Sequence, residues 1–118
     1  MSHNQQIGRW GENVAADFFS GQGFVIAGRN VRTPYGEIDL IVRRDNLTVF
    51  VEVKARTSSL FGPPEVAISS RKQEHLHAAV EHYLQEHTEL GGDWRIDALA
   101  VEGKPGYKPV ITHFENVI

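Results

Sequence analysis

The sequence predicts an α/β domain with a central mixed β-sheet flanked by helices, in the order α-β-β-β-α-β-β. Three observations carry that reading. Apolar residues recur at helical spacing near the start, two strands of alternating character flank Arg44-Asp45-Asn46, and a second amphipathic segment precedes two further strands. A chain of 118 residues has the length of one domain with one hydrophobic core, read as 1–118 with residues 1–7 expected to be disordered.

Each element follows from its own signal. Trp10, Val14 and Phe18 recur every four residues, with Ala15 and Phe19 widening the stripe, and Gly21 and Gly23 end that helix. Phe24-Val25-Ile26-Ala27 begins a strand running towards Asn30-Val31, and Thr33-Pro34-Tyr35-Gly36 is a turn. Glu37 to Arg43 and Leu47 to Arg56 are the clearest strands. Leu60 to Pro64 is a loop, and Ser70-Arg71-Lys72-Gln73 matches a capping box. Leu76, Ala79, Val80, Tyr83 and Leu84 make the amphipathic face of the helix it starts, which Gly91-Gly92 closes. Trp94 to Val101 and Val110 to Phe114 are the last strands, around Gly103-Lys104-Pro105-Gly106.

Composition narrows the functional classes. With 41% hydrophobic and 23% charged residues, the balance is globular rather than disordered or fibrous. No apolar run approaches the roughly 20 residues that cross a bilayer. Met1 to Gln6 lack the apolar stretch of a secretory signal, and no membrane association is expected. Absence of cysteine excludes disulfides, thiolate metal sites and cysteine nucleophiles, and a cytoplasmic location is the simplest expectation. The net charge of −3 hides an asymmetry: residues 1–72 hold nine Lys/Arg against seven Asp/Glu, and residues 73–118 hold three against eight. That distribution can place a basic face on an acidic protein, or it can be ordinary solvated charge.

The hairpin carries the chemistry. Strand alternation puts Leu47, Val49, Val51, Val53 and Ala55 on one face and Thr48, Phe50, Glu52, Lys54 and Arg56 on the other. In the preceding strand Ile38, Leu40 and Val42 share one face, and Glu37, Asp39 and Ile41 the other. A two-residue Asp45-Asn46 turn sets Arg44 across from Leu47, and counting back sets Asp39 across from Glu52 and Glu37 across from Lys54. Directly opposed carboxylates repel, which a divalent cation bridging them would relieve. The same pattern also suits a half-exposed hairpin with a Glu37–Lys54 surface ion pair.

Gly36-Glu37-Ile38-Asp39 and Val51-Glu52-Val53-Lys54-Ala55-Arg56, after a helix bearing Gly11-Glu12, resemble the YraN-like family of small bacterial proteins. The match runs from Arg9-Trp10-Gly11-Glu12 to Arg95-Ile96-Asp97. More distantly, these motifs are similar to archaeal Holliday-junction resolvases of the PD-(D/E)xK nuclease superfamily. The resemblance implies a restriction-endonuclease-like core, with Asp39 and Glu52 as ligands of Mg²⁺ or Mn²⁺. It implies that Lys54 assists the attacking water and that Glu12 is an additional catalytic acid. Ile38 stands where the superfamily name has proline. Gln73 matches the start of a Gln-x-x-x-Tyr element found in some relatives, with His77 in place of Tyr.

The function so implied is metal-dependent endonucleolytic hydrolysis of DNA, including structured or branched DNA, with no small-molecule cofactor. Arg32, Arg56, Arg71, Lys72 and Gln73 are the expected nucleic-acid contacts. A homodimer follows by analogy with enzymes that cut two strands. Tyr35 and Phe61 sit in loops where they could stack on bases. His75, His77, His82 and His87 contain no i, i+4 pair of the kind a helical zinc site uses, and read as a solvated face. Asp97 reads as an edge residue. Two rival functions remain: a non-catalytic nucleic-acid-binding module that keeps the fold, and a protein-interaction domain whose acidic 73–118 segment meets a basic partner.

Overall fold

A computed structural model describes residues 2–57 and 69–118. The predicted order is observed: α1 (His3–Ser20), β1 (Val25–Thr33), β2 (Gly36–Arg44), β3 (Leu47–Arg56), α2 (Ser70–Glu86), β4 (Asp93–Glu102) and β5 (Val110–Phe114). The expected loop at Leu60 to Pro64, with Phe61, lies outside the described residues. One five-stranded sheet runs β1-β2-β3-β4-β5. β3 and β4 are parallel and every other neighbouring pair is antiparallel, so the sheet is mixed. No helix among the described residues is long and apolar enough to cross a membrane.

Both helix starts differ from expectation, for one reason. A serine side chain reaches free amides earlier than the apolar stripe suggests. Ser2 accepts the Gln5 N–H, and the Gln5 side chain accepts the Ser2 N–H, so this capping box extends α1 back to His3, into the segment expected to be disordered. Ser69, not Ser70, caps α2 by accepting the Lys72 N–H.

The helices cover opposite faces of the sheet. Ala15, Ala16 and Phe19 of α1 pack on Leu40, Val42, Val49, Val51, Leu99 and Val101. Leu76, Ala79, Val80 and Tyr83 of α2 pack on Ile41, Phe50 and Ile96. Full burial of Phe19 on one side and Phe50 on the other contributes roughly 1.5–3 kcal/mol each, so both faces hold the core. Gly92 closes one end of the central strands: at φ +90° it admits the turn before β4 against the β2–β3 turn, where a Cβ would lie 2.1 Å from the Asn46 carbonyl oxygen.

Among the described residues, four polar side chains are buried with this core: Thr48, Glu52, Asp97 and Glu102. Thr48 accepts from Arg43, and Glu102 pairs with Arg56 at 3.0 Å. Asp97 is fully buried in β4, between β3 and β5, which corrects its reading as an edge residue. Arg95 Nε at 2.9 Å, the Asn116 N–H at 2.9 Å and His113 Nε2 at 2.8 Å all meet its carboxylate. Glu52 stands apart. Its Oε2 is buried and has no hydrogen-bond partner among the described residues.

Candidate metal centre

The site begins where the β2–β3 ladder stops. The register is the one the turn dictates, from Arg44↔Leu47 to Leu40↔Val51. Past that point the strands separate, so Asp39↔Glu52 and Glu37↔Lys54, expected as ladder pairs, do not form. Asp39 instead accepts the backbone N–H of Val53 through Oδ2 at 2.9 Å. Its side chain takes a donor that the ladder leaves over.

β1 shapes the same point. The pairs Arg29↔Leu40 and Val31↔Ile38 bracket Asn30 and Asp39. Asn30 has φ +48°, a left-handed conformation that Asn adopts more readily than other side-chain-bearing residues. Ile38 packs with Ile41 and Phe50 on the α2 side, although alternation predicts that it shares a face with Leu40 and Val42. The strand turns over at Asp39, beside the kinked neighbour.

α1 delivers the next acid. Gly11 faces Ala55 so closely that a Cβ on Gly11 would lie 2.5 Å from the Ala55 Cβ. Only glycine lets the helix seat this deeply on β3, and Glu12 follows it. The Asn30 side-chain amide donates to Glu12 Oε1 at 2.9 Å and to Glu37 Oε1 at 3.1 Å, tying α1 to β2. Glu12, Glu37 and Asp39 each place a carboxylate oxygen within 4.8 Å of the others. Neither Glu37 nor Asn30 emerges as a site residue from the sequence. Glu37 carried a signal, being two residues from Asp39 on one strand, whereas nothing announces the left-handed turn at Asn30.

Burial and that crowding together set the electrostatics. Burial, then the Glu52 charge, pushes the Asp39 carboxyl up to about 7 from 3.8; the Val53 N–H and Lys72 act against this, and Glu12 adds to it. Lys72 Nζ lies 3.3 Å from Glu52 Oε1. Lys54 is exposed, and its ammonium has no hydrogen-bond or ion partner among the described residues.

Two grooves meet at Glu12. One of about 540 Å³ is lined by Arg9, Asn30, Arg32 and Glu37, and one of about 360 Å³ by Val53, Ala55, Arg56 and Thr57. Arg32 and Arg56 therefore flank the acids from two sides. Arg71 stands exposed at the start of α2, and the Gln73 N–H donates to the Ser69 carbonyl at 2.9 Å. On the same helix His77 pairs with Glu81 and His82 with Glu86, while His87 stacks on Tyr83 at 3.9 Å.

The donor set suits a hard divalent cation. It consists of carboxylate oxygens only: Glu12 of α1 with Glu37 and Asp39 of β2 form the converging group, Glu52 of β3 lies outside it, and one buried oxygen of Glu52 lacks a partner among the described residues.

A family model described as "Uncharacterised protein family UPF0102" matches residues 11–101. The chain is 37% identical over 118 residues to the UPF0102 protein of Leifsonia xyli subsp. xyli, covering 100% of both chains. It is 38% identical over 113 residues to that of Syntrophomonas wolfei subsp. wolfei, covering 96% of this chain and 97% of the relative. Against the UPF0102 protein of Nocardia farcinica it is 39% identical over 120 residues, covering 99% and 92%.

Proposed function

The chain belongs to the uncharacterised protein family UPF0102, the YraN-like proteins its motifs resemble, and from its carboxylate site we propose that it is a metal-dependent endonuclease hydrolysing phosphodiester bonds of DNA, structured or branched DNA included. In this reading the domain has a restriction-endonuclease-like core of the PD-(D/E)xK superfamily. One observation carries it: Glu12, Glu37 and Asp39 converge within 4.8 Å beside a buried Glu52 whose Oε2 lacks a partner among the described residues. Burial first, and then the charges of Glu52 and Glu12, raise the proton affinity of Asp39, and a divalent cation would relieve the charge crowding in place of the proton.

Asp39 and Glu52 hold the Mg²⁺ or Mn²⁺ ion, and Glu12 and Glu37 close the acidic side. A bound divalent ion supplies an activated water and neutralises charge developing on the phosphoryl oxygens. Lys54, on the Glu52 strand and free to reach outward, orients the water or the phosphoryl group. Arg32 and Arg56, at the two groove mouths, hold the nucleic-acid backbone, with Arg71 and Gln73 contributing from the start of α2.

The test is a panel of single-stranded, duplex, flap and four-way-junction DNA incubated with Mg²⁺ or Mn²⁺. Wild type should cut at least one form, and Glu52→Ala should lower the rate by about 10²–10³-fold. Binding of the panel by both proteins with no cutting by either would leave the non-catalytic module as the function.

A further inference from the structure

The start of α2 places cations where a helix favours anions. Its first turn contains Arg71 and Lys72 and no acid. The N-terminal end of a helix carries partial positive charge, so an ammonium there needs an anion close by. Lys72 has one in Glu52 Oε1, at 3.3 Å.

The two partners are held very differently. The Glu52 side chain is 8% exposed and fixed in a central strand, whereas that of Lys72 is 48% exposed on a flexible stem. The carboxylate cannot leave, but the ammonium can move into water at little cost. Glu52 also keeps its second oxygen buried without a partner among the described residues. The lysine therefore neutralises the carboxylate without saturating it.

Resting on the reading of this site as a metal centre, we propose that Lys72 is its displaceable counter-cation: the ammonium neutralises Glu52 until a divalent cation binds there, then swings out to a backbone phosphate. A cation ligated by Glu52 would lie within a few ångströms of the ammonium, at about 2–2.6 Å from the carboxylate oxygen, and like charges at that range repel. Once released, Lys72 loses its anion at the positive end of α2, and a phosphate restores one. Cation binding and nucleic-acid binding then reinforce each other, as linkage requires when both act on one residue. Lys54 has no such device, since its ammonium meets no acid among the described residues.

Calorimetric titration of Mn²⁺ alone into the full chain tests the first half. Lys72→Met should bind Mn²⁺ about five- to tenfold more tightly than wild type, while Lys72→Arg, which keeps the charge, stays within about twofold. The second half is read from the affinity for a duplex oligonucleotide with and without Ca²⁺. Ca²⁺ should tighten binding by wild type about tenfold and by Lys72→Met less than about twofold. Equal Mn²⁺ affinity for wild type and Lys72→Met overturns the proposal and leaves the metal centre standing. Tighter Mn²⁺ binding by Lys72→Met with an unchanged Ca²⁺ effect on the duplex overturns the swing to phosphate. If neither protein binds Mn²⁺, the metal centre itself is overturned. Lys72 is half-exposed, so thermal melts of all three proteins should show a common fold.

Discussion

Asp39 Oδ2 accepts the backbone N–H of Val53 at 2.9 Å, at the place where β2 leaves β3. That one bond fixes the carboxylate beside Glu52 although the two residues are not ladder partners. It also satisfies a donor that the separating strands would otherwise leave unpaired, and an unpaired buried amide costs about 1–3 kcal/mol. The site is thus built into the sheet rather than added on a loop.

Protonation of Asp39 couples the site to stability. Its carboxyl is pushed up to about 7 from 3.8 by burial and by Glu52, so between those values the folded state holds the proton more tightly than the unfolded chain. Stability from this group is fully present below about pH 4 and is lost as pH rises through about 7. Asp39→Asn keeps an acceptor for Val53 and loses the charge. In urea melts it should exceed wild type by on the order of 1–3 kcal/mol near pH 8, with the gap closing towards pH 4. A gap independent of pH would contradict the account.

A metal ion held by Asp39, as proposed, would compete with the same proton. Mn²⁺ affinity should rise about tenfold per pH unit up to roughly pH 7 and level off above it. Calorimetry at several pH values reads this directly. A flat profile from about pH 5 to 8 would remove Asp39 from the ligands.

Asn30 separates backbone need from site chemistry. Its left-handed φ of +48° suits glycine, and its amide joins Glu12 to Glu37. Asn30→Gly should stay within about 1 kcal/mol of wild-type stability, and Asn30→Ala should lose roughly 1–2 kcal/mol. Both should weaken Mn²⁺ binding, because two carboxylates lose their shared donor. Unweakened binding in both variants would show that the amide does not organise the acids.

Gly11 and Ala55 form a fitted contact. Gly11→Ala brings a Cβ to 2.5 Å from the Ala55 Cβ and should cost roughly 1–3 kcal/mol while lifting Glu12 away. Adding Ala55→Gly should recover most of the loss, which a double-mutant cycle measures as coupling. Simple additivity would mean that the helix does not seat on β3 through this pair.

Asp97 is the structural counterpart of the site acids. Arg95, His113 and the Asn116 N–H surround it, so Asp97→Ala should destabilise the fold by about 3–5 kcal/mol and leave Mn²⁺ affinity unchanged below its melting temperature. Lost metal binding in a folded Asp97→Ala protein would contradict this division of roles.

Local signals made much of this legible. Alternation and apolar spacing identify every strand and both helices, and the Asp45-Asn46 turn sets a register that holds as far as Leu40↔Val51. What lay hidden depends on contacts between elements far apart in the chain. Where the ladder ends Asp39 takes the Val53 amide, and the Ile38 face changes beside a left-handed Asn30. Neither event leaves a periodic trace in the sequence. Asp97 looked peripheral because the groups that enclose it, His113 of β5 and the Asn116 N–H, lie 16 and 19 residues further along the chain. Lys72 read as a nucleic-acid contact, and its pairing with Glu52 lay hidden because Glu52 is 20 residues earlier in the chain.

The decisive measurement is a crystal of the full chain soaked in Mn²⁺, with anomalous scattering to locate the ion. A peak ligated by Asp39 and Glu52 is expected, with Lys72 drawn away from Glu52. Ordered Asp39 and Glu52 carboxylates with no peak between them, at Mn²⁺ concentrations that fill other sites, would contradict it.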